Sequence, residues 1–448
     1  MTLAVTLTPL QRLARIGYAS ALRLAVPAYV LKLWWRGRAE PLYRFAIGER
    51  FGFYGATARA AAESGAAAAG WLWVHAVSLG ETRAAAALID ALRADSPGLR
   101  LLLTHGTATG REAGAALLRA GDAQAWLPVD TPGAVSRFFE HFHPAIGVLM
   151  ETEVWPQLLL EAERRAIPMV LANARLSERS ARRGQRLSAL MRPAAESVAL
   201  VLAQTQADAT RLQAAGARRI EVCGNLKFDV TPDAALLARG TVWQQAAGRA
   251  VVLAASTREG EEAALLAAWN QQSAPRPLLL LVPRHPQRFD EVAALIAAAG
   301  LSSSRRSTWA DAPPPEAAAV DVWLGDSIGE MASYFGCAQV ALLGGSFEPL
   351  GGQNLIEAAA CGCPVLMGPH TFNFAEAAEL ARKEGAAKRV ADINAAVRLA
   401  VTMVAPSAAG STTDSAQTAP SAERALAFAQ RHRGAARHMA ELIGSLLR

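Results

Sequence analysis

A phosphate-binding pattern occupies residues 344–357, which read GGSFEPLGGQNLIE. The apolar residues before it predict a buried strand, and its glycines let the backbone approach a ligand closely. The following helix, which should begin near Gln353 or Asn354, presents unpaired amides and a positive dipole end to an anion. Glu357, about one turn inside that helix, can accept hydrogen bonds from a ribose diol. The pattern predicts a nucleotide site, although such turns also occur without a ligand.

A second candidate for chemistry is Glu81, which follows the predicted strand 71–76 through a short turn. A carboxylate there can act as a general base that removes the proton of an attacking hydroxyl. The spacing Ser78-x-x-Glu81 equally fits a capping box, in which Glu81 only binds an amide at the helix start. The residues alone leave the two interpretations even. As a base, Glu81 should have its pKa lowered by the helix dipole and stay ionised.

Two further acids, Glu151 and Glu153, come directly after the predicted strand 145–150. One of them can orient a sugar or stabilise developing positive charge at the carboxyl edge of the sheet. The alternative is that both complement the dipole of a helix beginning near Pro156.

Basic residues follow the next strands of the first half. Arg175 is the first of four arginines in the segment 173–183, which either grips phosphate or carboxylate groups of an acceptor or forms a solvated charged face. Lys227, in the segment 224–229, is placed to reach an anionic group, although a lone surface lysine is the usual outcome. We expect Arg175 to contact the acceptor.

Two loops of the second half lie on the same predicted sheet edge as the glycine-rich segment. Their candidate residues are Arg284, His285, Ile328, Gly329 and Glu330. The first two can contact a nucleotide phosphate or base, and a helix opening at Ile328 can present amides to it. Neither G-x-G-x-x-G nor G-x-x-x-x-G-K-[ST] occurs, which argues against a dinucleotide oxidoreductase and a P-loop NTPase.

The elements that must position these residues alternate between short apolar runs and helical patterns. The predicted strands are 71–76, 101–104, 124–127, 145–150, 168–172, 198–203 and 220–223, then 250–255, 277–282, 320–324, 339–343 and 364–367. Such strands are typical of parallel sheets covered on both faces. We therefore expect an α/β protein with two Rossmann-like, doubly wound domains that face a cleft.

The amino-terminal segment is a basic amphipathic pattern with no acid before Glu40. Its basic residues are Arg12, Arg15, Arg23, Lys32, Arg36 and Arg38. The pattern predicts a membrane anchor lying in the interface, with Trp34 and Trp35 at the headgroup boundary. The alternatives are a spanning helix with snorkelling charges and a helix packed on the protein body.

Composition limits the remaining classes. The 448 residues favour two domains, and a net charge of +6 with few aromatic residues favours an anionic substrate or membrane surface over nucleic acid. Four cysteines without zinc spacing indicate a reducing cytosol, and His141 and His143 lack further ligands. No metal site is predicted.

Together these motifs resemble the Kdo transferases, membrane-associated glycosyltransferases that move 3-deoxy-D-manno-octulosonic acid (Kdo) from CMP-Kdo onto a lipid A precursor. The resemblance covers most of the chain. Besides the anchor segment, it rests on six segments in the same order, 76–81, 151–156, 173–177, 224–229, 283–286 and 351–357.

The resemblance implies a GT-B fold, an inverting reaction, and a location on the cytoplasmic face of the inner membrane. It implies that Glu81 is the general base and that Glu151 and Lys227 assist the transition state. It also implies that CMP is held by Arg284, His285, Ile328, Gly329, Glu330, Asn354, Leu355, Ile356 and Glu357. No metal or other cofactor is expected, because fixed positive groups can stabilise a nucleoside monophosphate as it leaves.

The expected domains are an anchor at 1–39, an acceptor-binding domain at 40–235, a CMP-Kdo-binding domain at 236–422 and a C-terminal helix at 423–448. Residues 405–422 within the third segment are expected to form a flexible insertion. Two rival functions remain, a nucleotide-sugar epimerase of the same two-domain architecture and a non-catalytic membrane scaffold.

Overall fold

The computed structural model of the protein describes residues 7–55, 70–405 and 420–447. The Ala-rich bridge at 56–70 and the expected insertion at 405–422 lie almost entirely outside these residues. The chain divides into two compact units. The first extends to Asp229 and includes the chain from Arg433 onward, and the second extends from Val230 to His432.

The first unit contains a seven-stranded parallel sheet with the order β3-β2-β1-β4-β5-β6-β7. Its strands are β1 Trp71–His75, β2 Leu101–His105, β3 Ala123–Trp126, β4 Pro144–Met150, β5 Met169–Ala174, β6 Leu200–Ala203 and β7 Ile220–Val222. Strands β1, β2, β5 and β6 are buried along their whole length, because helices cover both faces of the sheet.

Within the described residues, eight α-helices precede the crossover to the second unit. They are α1 Pro9–Arg36, α2 Leu79–Asp95, α3 Ala108–Ala115, α4 Pro132–Phe142, α5 Pro156–Arg164, α6 Glu178–Arg186, α7 Ser188–Glu196 and α8 Gln206–Ala215. Hydroxyl side chains cap the amino termini of several of them. Ser78, Thr107 and Thr205 each accept a hydrogen bond from an amide of the first turn. Short 3₁₀ helices span Pro41–Arg44, Ile47–Phe51 and Leu226–Phe228.

The second unit repeats this architecture with a parallel sheet in the order β10-β11-β9-β8-β12-β13-β14. Its strands are β8 Val251–Thr257, β9 Leu278–Pro283, β10 Ser303–Arg305, β11 Val322–Leu324, β12 Val340–Leu343, β13 Val365–Met367 and β14 Ala387–Arg389. Its helices are α9 Ala234–Ala247, α10 Glu261–Asn270, α11 Phe289–Ala298, α12 Met331–Cys337, α13 Leu355–Ala360, α14 Ala375–Lys383, α15 Ile393–Val404 and α16 Ala422–His432. Further 3₁₀ turns span Pro286–Arg288, Arg306–Thr308, Pro315–Ala319 and Phe372–Phe374.

The prediction of two doubly wound sheets is confirmed, and all twelve predicted strands are present. The analysis of the sequence missed β10 and β14, which are the two edge strands of the second sheet. Each has only three residues, and polar residues dominate both. They form because a neighbouring strand offers free backbone groups, and their own sequence carries no apolar signal.

The carboxyl-terminal segment 423–448, expected as one helix, forms α16 and then α17 Ala435–Leu447. The break falls at Gly434, whose φ of +104° suits glycine alone. The carboxylate of Asp229 accepts hydrogen bonds from the amides of Gly434 and Ala436 at 2.5 and 2.6 Å. A new helix therefore begins there, and α17 returns to pack on the first unit.

The amino-terminal segment forms the 28-residue helix α1, which contacts the first unit along one face. The Arg15 guanidinium donates to Gln157 Oε1 at 2.6 Å, and Tyr18 hydrogen-bonds the buried Asp130. Asp130 in turn accepts the amides of Gln157 and Leu158 at the start of α5. No helix in the described part of the chain has the length and apolarity needed to cross a bilayer.

Candidate active site

Glu81 lies in the first turn of α2, at the carboxyl end of β1. Its Oε2 accepts the amide of Val77 at 2.7 Å, and its Oε1 accepts the hydroxyl of Ser78 at 3.0 Å. Ser78 Oγ accepts the Glu81 amide at 3.4 Å. The capping interactions foreseen for this spacing are therefore present. They leave the carboxylate half-buried, with lone pairs for another donor because two carboxylate oxygens offer about four acceptor sites.

The pKa of Glu81 is raised, so the prediction that the helix dipole would lower it is wrong. Burial is the largest cause, and it outweighs the hydrogen bonds from Val77 and Ser78, which lower the pKa. The charge of Glu151 raises this pKa further, whereas the charge of Lys227 lowers it. A partly desolvated carboxylate of this kind is a stronger base than an exposed glutamate.

Glu151 and Glu153 lie in the loop after β4, and β4 is the neighbour of β1 in the sheet. Glu151 adopts a left-handed backbone with φ of +58°, a strained conformation for a glutamate that is common at functional sites. Glu153 is half-buried, and its pKa is raised to about 7 by burial first and then by the charges of Glu81 and Glu151. Both acids therefore interact with Glu81.

Lys227 lies in the 3₁₀ turn Leu226–Phe228 that follows β7. Its amide donates to Asn225 Oδ1 at 3.0 Å, and its charge interacts with Glu81. The structure thus brings together Glu81, Glu151 and Lys227, which come from three separate segments. All three are candidates that the sequence predicts. Glu153 joins the same group, which we call the carboxylate cluster.

Arg175 follows β5 and is exposed. No hydrogen bond or ion pair within the described ranges connects it to the carboxylate cluster. The helix after it, α6, buries none of its residues and contains the exposed Arg179, Arg182, Arg183 and Arg186. Arg175 is thus part of a basic surface near the carboxyl edge of the sheet.

An open cavity of about 720 Å³ lies in the first unit. Its walls come from the segment after α1 and from the first turns of α3, namely Ala39, Glu40, Pro41, Leu42, Arg44, Phe45, Ala108, Thr109 and Glu112. Thr107, which caps α3, donates its hydroxyl to the carbonyl of Val77 at 2.9 Å. This bond joins the start of α3, which lines the cavity, to the loop that binds the carboxylate of Glu81.

In the second unit, part of the glycine-rich turn is occupied by a side chain of the protein itself. The amides of Gly345 and Phe347 donate to the carboxylate of Glu261 at 2.7 and 3.1 Å. The amide of Arg258 donates to the same carboxylate at 2.9 Å. Analysis of the sequence missed this role, although the signal was present as an acidic residue at the start of a helix after β8.

The remainder of the turn leads into α13 as predicted. The helix begins at Leu355, and Asn354 Oδ1 accepts the amide of Ile356 at 3.0 Å. Gly351 and Gly352 have φ of +91° and +74°, which explains why glycines occupy these positions. Glu357 lies half-buried in the first turn of the helix.

Arg284 and His285 follow β9, the strand next to β8. The amide of Arg284 donates to the carbonyl of Thr257 at 2.9 Å, which joins this loop to the loop that carries Arg258. The guanidinium of Arg284 is exposed, and His285 is half-buried. Arg258 lies close to Gly345 and is a second residue that sequence reasoning missed.

The loop 328–330 differs from its prediction. The helix begins at Met331 instead of Ile328, because Gly329 takes a φ of +82° and Glu330 becomes the cap. The Glu330 carboxylate pairs with Arg239 at 2.7 Å and with Arg306 at 2.9 Å, so ion pairs within the unit occupy it. Ile328 is 78% exposed. The backbone of this loop, and not the Glu330 side chain, remains available to a ligand.

Metal ligands do not cluster in the described part of the chain, where no group of three or more His, Cys, Asp or Glu side chains is arranged to hold an ion. The four cysteines are reduced, and burial raises the pKa of each thiol. Their thiolates are therefore disfavoured as ligands or nucleophiles.

Comparison with known sequences identifies the relatives of the chain. Residues 46–230 match the profile of a family described as 3-deoxy-D-manno-octulosonic-acid transferase (kdotransferase). A 3-deoxy-D-manno-octulosonic acid transferase from Bordetella pertussis is 46% identical over 431 residues. That similarity covers 94% of this chain and 96% of the relative, so it extends over both units.

Two solved structures show the same fold at low identity. A glycosyltransferase from Rickettsia africae has a TM-score of 0.53 at 11% identity, over 85% of this chain and 99% of that one. A UDP-GlcNAc 2-epimerase from Neisseria meningitidis has a TM-score of 0.50 at 16% identity, over 84% and 98%. The fold alone therefore fits both the transferase and the epimerase hypotheses, and the sequence relative distinguishes between them.

Proposed function

Because the chain belongs to the Kdo transferase family and is a glycosyltransferase that transfers Kdo, we propose that its donor is CMP-Kdo and its acceptor a lipid A precursor, lipid IVA. The reaction contributes to the lipopolysaccharide core. The observation that carries the proposal is the 46% identity across 94% of the chain. The carboxylate cluster supports it, since it supplies the base that glycosyl transfer needs.

In the proposed reaction Glu81 acts as the general base. The hydroxyl of an acceptor glucosamine donates its proton to a free lone pair of Glu81 while its oxygen bonds to the anomeric carbon of Kdo. The bond from that carbon to the phosphate oxygen breaks, and CMP leaves with the electron pair. Attack opposite to the leaving group inverts the anomeric configuration. The raised pKa of Glu81 supports this role, because a general base works best with a pKa near the working pH.

Other residues of the cluster assist the transition state in this proposal. Glu151 stabilises the positive charge that develops on the sugar ring, and Lys227 stabilises the phosphate as it leaves. The two roles suit the opposite charges of these side chains. Arg175 and the basic surface of α6 are proposed to contact phosphates of the acceptor, for which guanidinium groups are well matched.

The second unit is proposed to bind CMP. Arg284 contacts the phosphate, His285 contacts the nucleotide, and the loop 328–330 contributes backbone groups. Asn354, Leu355 and Ile356 place the start of α13 at the nucleotide, and Glu357 accepts hydrogen bonds from the ribose. Exposed Arg284 and half-buried His285 and Glu357 are all within reach of a ligand from solvent.

We also propose that α1 lies on the cytoplasmic face of the inner membrane. The large exposed apolar residues of the helix are Leu10, Leu13, Ile16, Leu24, Leu31, Trp34 and Trp35. At about 100° per residue they occupy roughly one third of the helix circumference, opposite the face that contacts Gln157 and Asp130. Arg12, Arg23 and Lys32 flank this stripe. An apolar stripe between basic residues is typical of interfacial helices.

The proposal is tested by incubating purified protein with CMP-Kdo and lipid IVA and measuring the product by mass spectrometry. The expected result is an acceptor whose mass increases by one or more Kdo residues, with release of CMP. Product formed only with other cytidylate sugars would contradict CMP-Kdo as the donor. Absence of product with lipid IVA would contradict lipid IVA as the acceptor.

The role of Glu81 is tested with Glu81→Gln, which keeps the size of the side chain but cannot accept a proton. We expect kcat to fall by about 100-fold or more, since general bases contribute at least this much. Ser78→Ala is the matched control, because it removes a capping bond of the same turn and leaves the carboxylate. If Glu81→Gln keeps near-normal turnover and only the melting temperature falls, Glu81 is a cap and not a base.

The rival epimerase would convert the nucleotide sugar without an acceptor. CMP-Kdo incubated with the protein alone should therefore remain unchanged by NMR if the transferase proposal is correct. Isomerisation of a nucleotide sugar in the absence of lipid would support the rival instead.

A further inference from the structure

Three residues with amide side chains connect the carboxyl ends of β5, β6 and β7 next to the turn that carries Lys227, and Asn173 takes part through both its backbone carbonyl and its side chain. We call them the amide chain, and they are Asn173, Gln204 and Asn225. Gln204 donates through Nε2 to the carbonyl of Asn173 at 2.9 Å, and its Oε1 accepts from Asn225 Nδ2 at 3.0 Å. None of the three is a residue that touches the reacting groups in the proposed reaction.

The amide chain ends on the Lys227 turn at two consecutive residues. Asn173 Oδ1 accepts the amide of Leu226 at 3.0 Å, and Asn225 Oδ1 accepts the amide of Lys227 at 3.0 Å. Both amides are at the start of a 3₁₀ turn, where the turn itself provides no acceptor. The orientation of the turn therefore depends on these side chains.

Asn173 is held in an unfavourable conformation to do this. It is fully buried, and its backbone is left-handed with φ of +53°. Asparagine tolerates this region better than other residues that are not glycine, but the conformation still costs about 1 kcal/mol or more. Its Nδ2 is buried with no hydrogen-bond partner in the structure. These costs are explained if the Oδ1 contact with Leu226 is what the position requires.

Two further contacts hold the turn, one against α2 and one against α17. Leu226 is buried in the same core cluster as Ala84 and Ala85, one turn after Glu81. On the other side of the turn, the Asp229 carboxylate binds the first amides of α17. The turn thus has one position relative to the Glu81 carboxylate. The other charged groups that face this carboxylate are Glu151 and Glu153, both from the loop after β4.

From this geometry we infer that Asn173 is a positioning residue, whose Oδ1 acts through the Leu226 amide to hold Lys227 beside Glu81. Gln204 and Asn225 support the next amide of the same turn. The inference rests on the proposed roles of Glu81 and Lys227. Without the amide chain, Lys227 remains in the protein, but its ammonium group no longer has one position relative to the carboxylate cluster.

The test uses Asn173→Gly in the full-length protein. Glycine adopts the left-handed backbone without strain, so this variant removes the Oδ1 acceptor and not the conformation. We expect kcat to fall about 10-fold or more with little change in the KM for CMP-Kdo. We also expect the acid limb of the kcat/KM profile to move to higher pH, because Glu81 loses a fixed positive neighbour. Gln204→Leu, which breaks the chain one residue away, should shift both quantities in the same direction.

The decisive comparison is a double-mutant cycle with Lys227→Ala. If Asn173 acts through Lys227, Asn173→Gly should add little to the loss already caused by Lys227→Ala. Val135→Ala, a buried truncation in α4, is the control for stability and should leave the pH profile unchanged. The inference would be overturned if the losses in kcat of the two single variants multiply in the double variant. It would also be overturned if the pH profile of kcat/KM does not move while the melting temperature falls.

Failure of this inference differs from failure of the proposed function. If the wild-type protein transfers no Kdo, the proposed function is wrong. The position of Lys227 can then still be measured by titrating Glu81 with ¹³C NMR, where Asn173→Gly should raise the pKa of Glu81. No change in that pKa would contradict the amide chain whatever the reaction.

Discussion

At the scale of residues, the pKa of Glu81 depends on competing local effects. Burial and the charge of Glu151 raise it, while two hydrogen bonds and Lys227 lower it. The prediction from the sequence rests on the helix dipole alone, because burial and neighbours from other segments do not appear in the local sequence. The sum makes the carboxylate a better base than the motif alone suggests.

This balance predicts opposite shifts for two variants. Lys227→Ala removes a charge that lowers the pKa of Glu81, so the acid limb of kcat/KM should move to higher pH. Glu151→Gln removes a charge that raises it, so the limb should move to lower pH. Shifts on the order of half a pH unit or more are expected for charges this close. Asp90→Asn, which removes an exposed carboxylate further along α2, is the control.

The measurement is initial rate against pH at subsaturating donor. Because Glu81, Glu151 and Glu153 interact, the limb reports the cluster rather than one residue, but the directions still follow from the charges removed. Shifts in the same direction for both variants would contradict this electrostatic account.

Two buried histidines lie beneath the same sheet edge. His75 and His105 are the last residues of β1 and β2, and burial lowers their pKa values to about 3 and about 4. His105 Nδ1 lies 3.0 Å from the carbonyl of Ala76, which indicates that this nitrogen carries the proton of the neutral ring. Both rings are therefore neutral in the folded protein at pH 7.

The free energy of unfolding should consequently decrease as the pH falls, because His75 binds a proton more readily in the unfolded chain. The unfolded chain binds a proton near pH 6.5 and the folded protein near pH 3, so the contribution is complete above 6.5 and is lost as the pH falls below it. Relative to His75→Gln, the wild type should lose about 1.4 kcal/mol of unfolding free energy between pH 7.5 and 5.5. Urea unfolding of both proteins measures the difference. A difference that is constant with pH would show that His75 does not titrate in this way.

At the scale of elements, α17 belongs to the first unit although it follows the second in sequence. Its residues Met439 and Ile443 are fully buried in the cluster that contains Leu88 of α2. The helix thus supports α2, which carries Glu81, and it also binds Asp229 at the end of the Lys227 turn. One terminal helix stabilises two parts of the candidate active site.

Truncation of this packing is expected to be costly. Met439→Ala should lower the free energy of unfolding by about 2–5 kcal/mol, the range for a buried methionine cut to alanine. The exposed Arg437→Ala on the same helix is the control and should change it by less than about 0.5 kcal/mol. Denaturant unfolding followed by circular dichroism checks both values. Equal free energies of unfolding for the two variants would show that the packing of α17 on the core does not stabilise the protein.

At the scale of the whole molecule, the charge of +6 and the exposed apolar stripe of α1 are the two features on which the membrane proposal rests. One face of α1 packs on the rest of the first unit, as in the hypothesis of a helix packed on the protein body. The opposite face is apolar and exposed, as an interfacial helix requires. A helix with two such faces can join a protein body to a membrane surface.

The membrane proposal predicts that Leu13→Glu with Leu24→Glu weakens binding to vesicles that contain anionic phospholipid by about 10-fold or more. The double variant should keep its activity on a water-soluble, deacylated acceptor. Val242→Glu, at a similarly exposed apolar position of the second unit, is the control. Sedimentation with vesicles measures the binding. Unchanged binding of the double variant would contradict the role of this stripe.

The periodicity of the sequence predicts most of the architecture, because a buried parallel strand must be a short apolar run. The glycine-rich turn and the start of α13 follow from local backbone requirements, because glycine adopts the positive φ values and asparagine caps the helix. Local sequence does not predict β10, β14 or the break at Gly434, since each depends on a partner distant in the chain. For Glu261 the local sequence indicates an acid in the first turn of a helix, but its partners Gly345 and Phe347 are distant in the chain.

The sequence by itself determined two doubly wound sheets, the family to which the chain belongs, and the residue types available for catalysis. Only the tertiary structure decided that Glu81, Glu151, Glu153 and Lys227 form one cluster and that Glu261 occupies amides of the glycine-rich turn. It also decided the direction of the Glu81 pKa and the support that Asn173 gives to the Lys227 turn. The reason is physical: periodicity and backbone preference act over a few residues, whereas burial and charge interactions depend on distances between segments far apart in sequence.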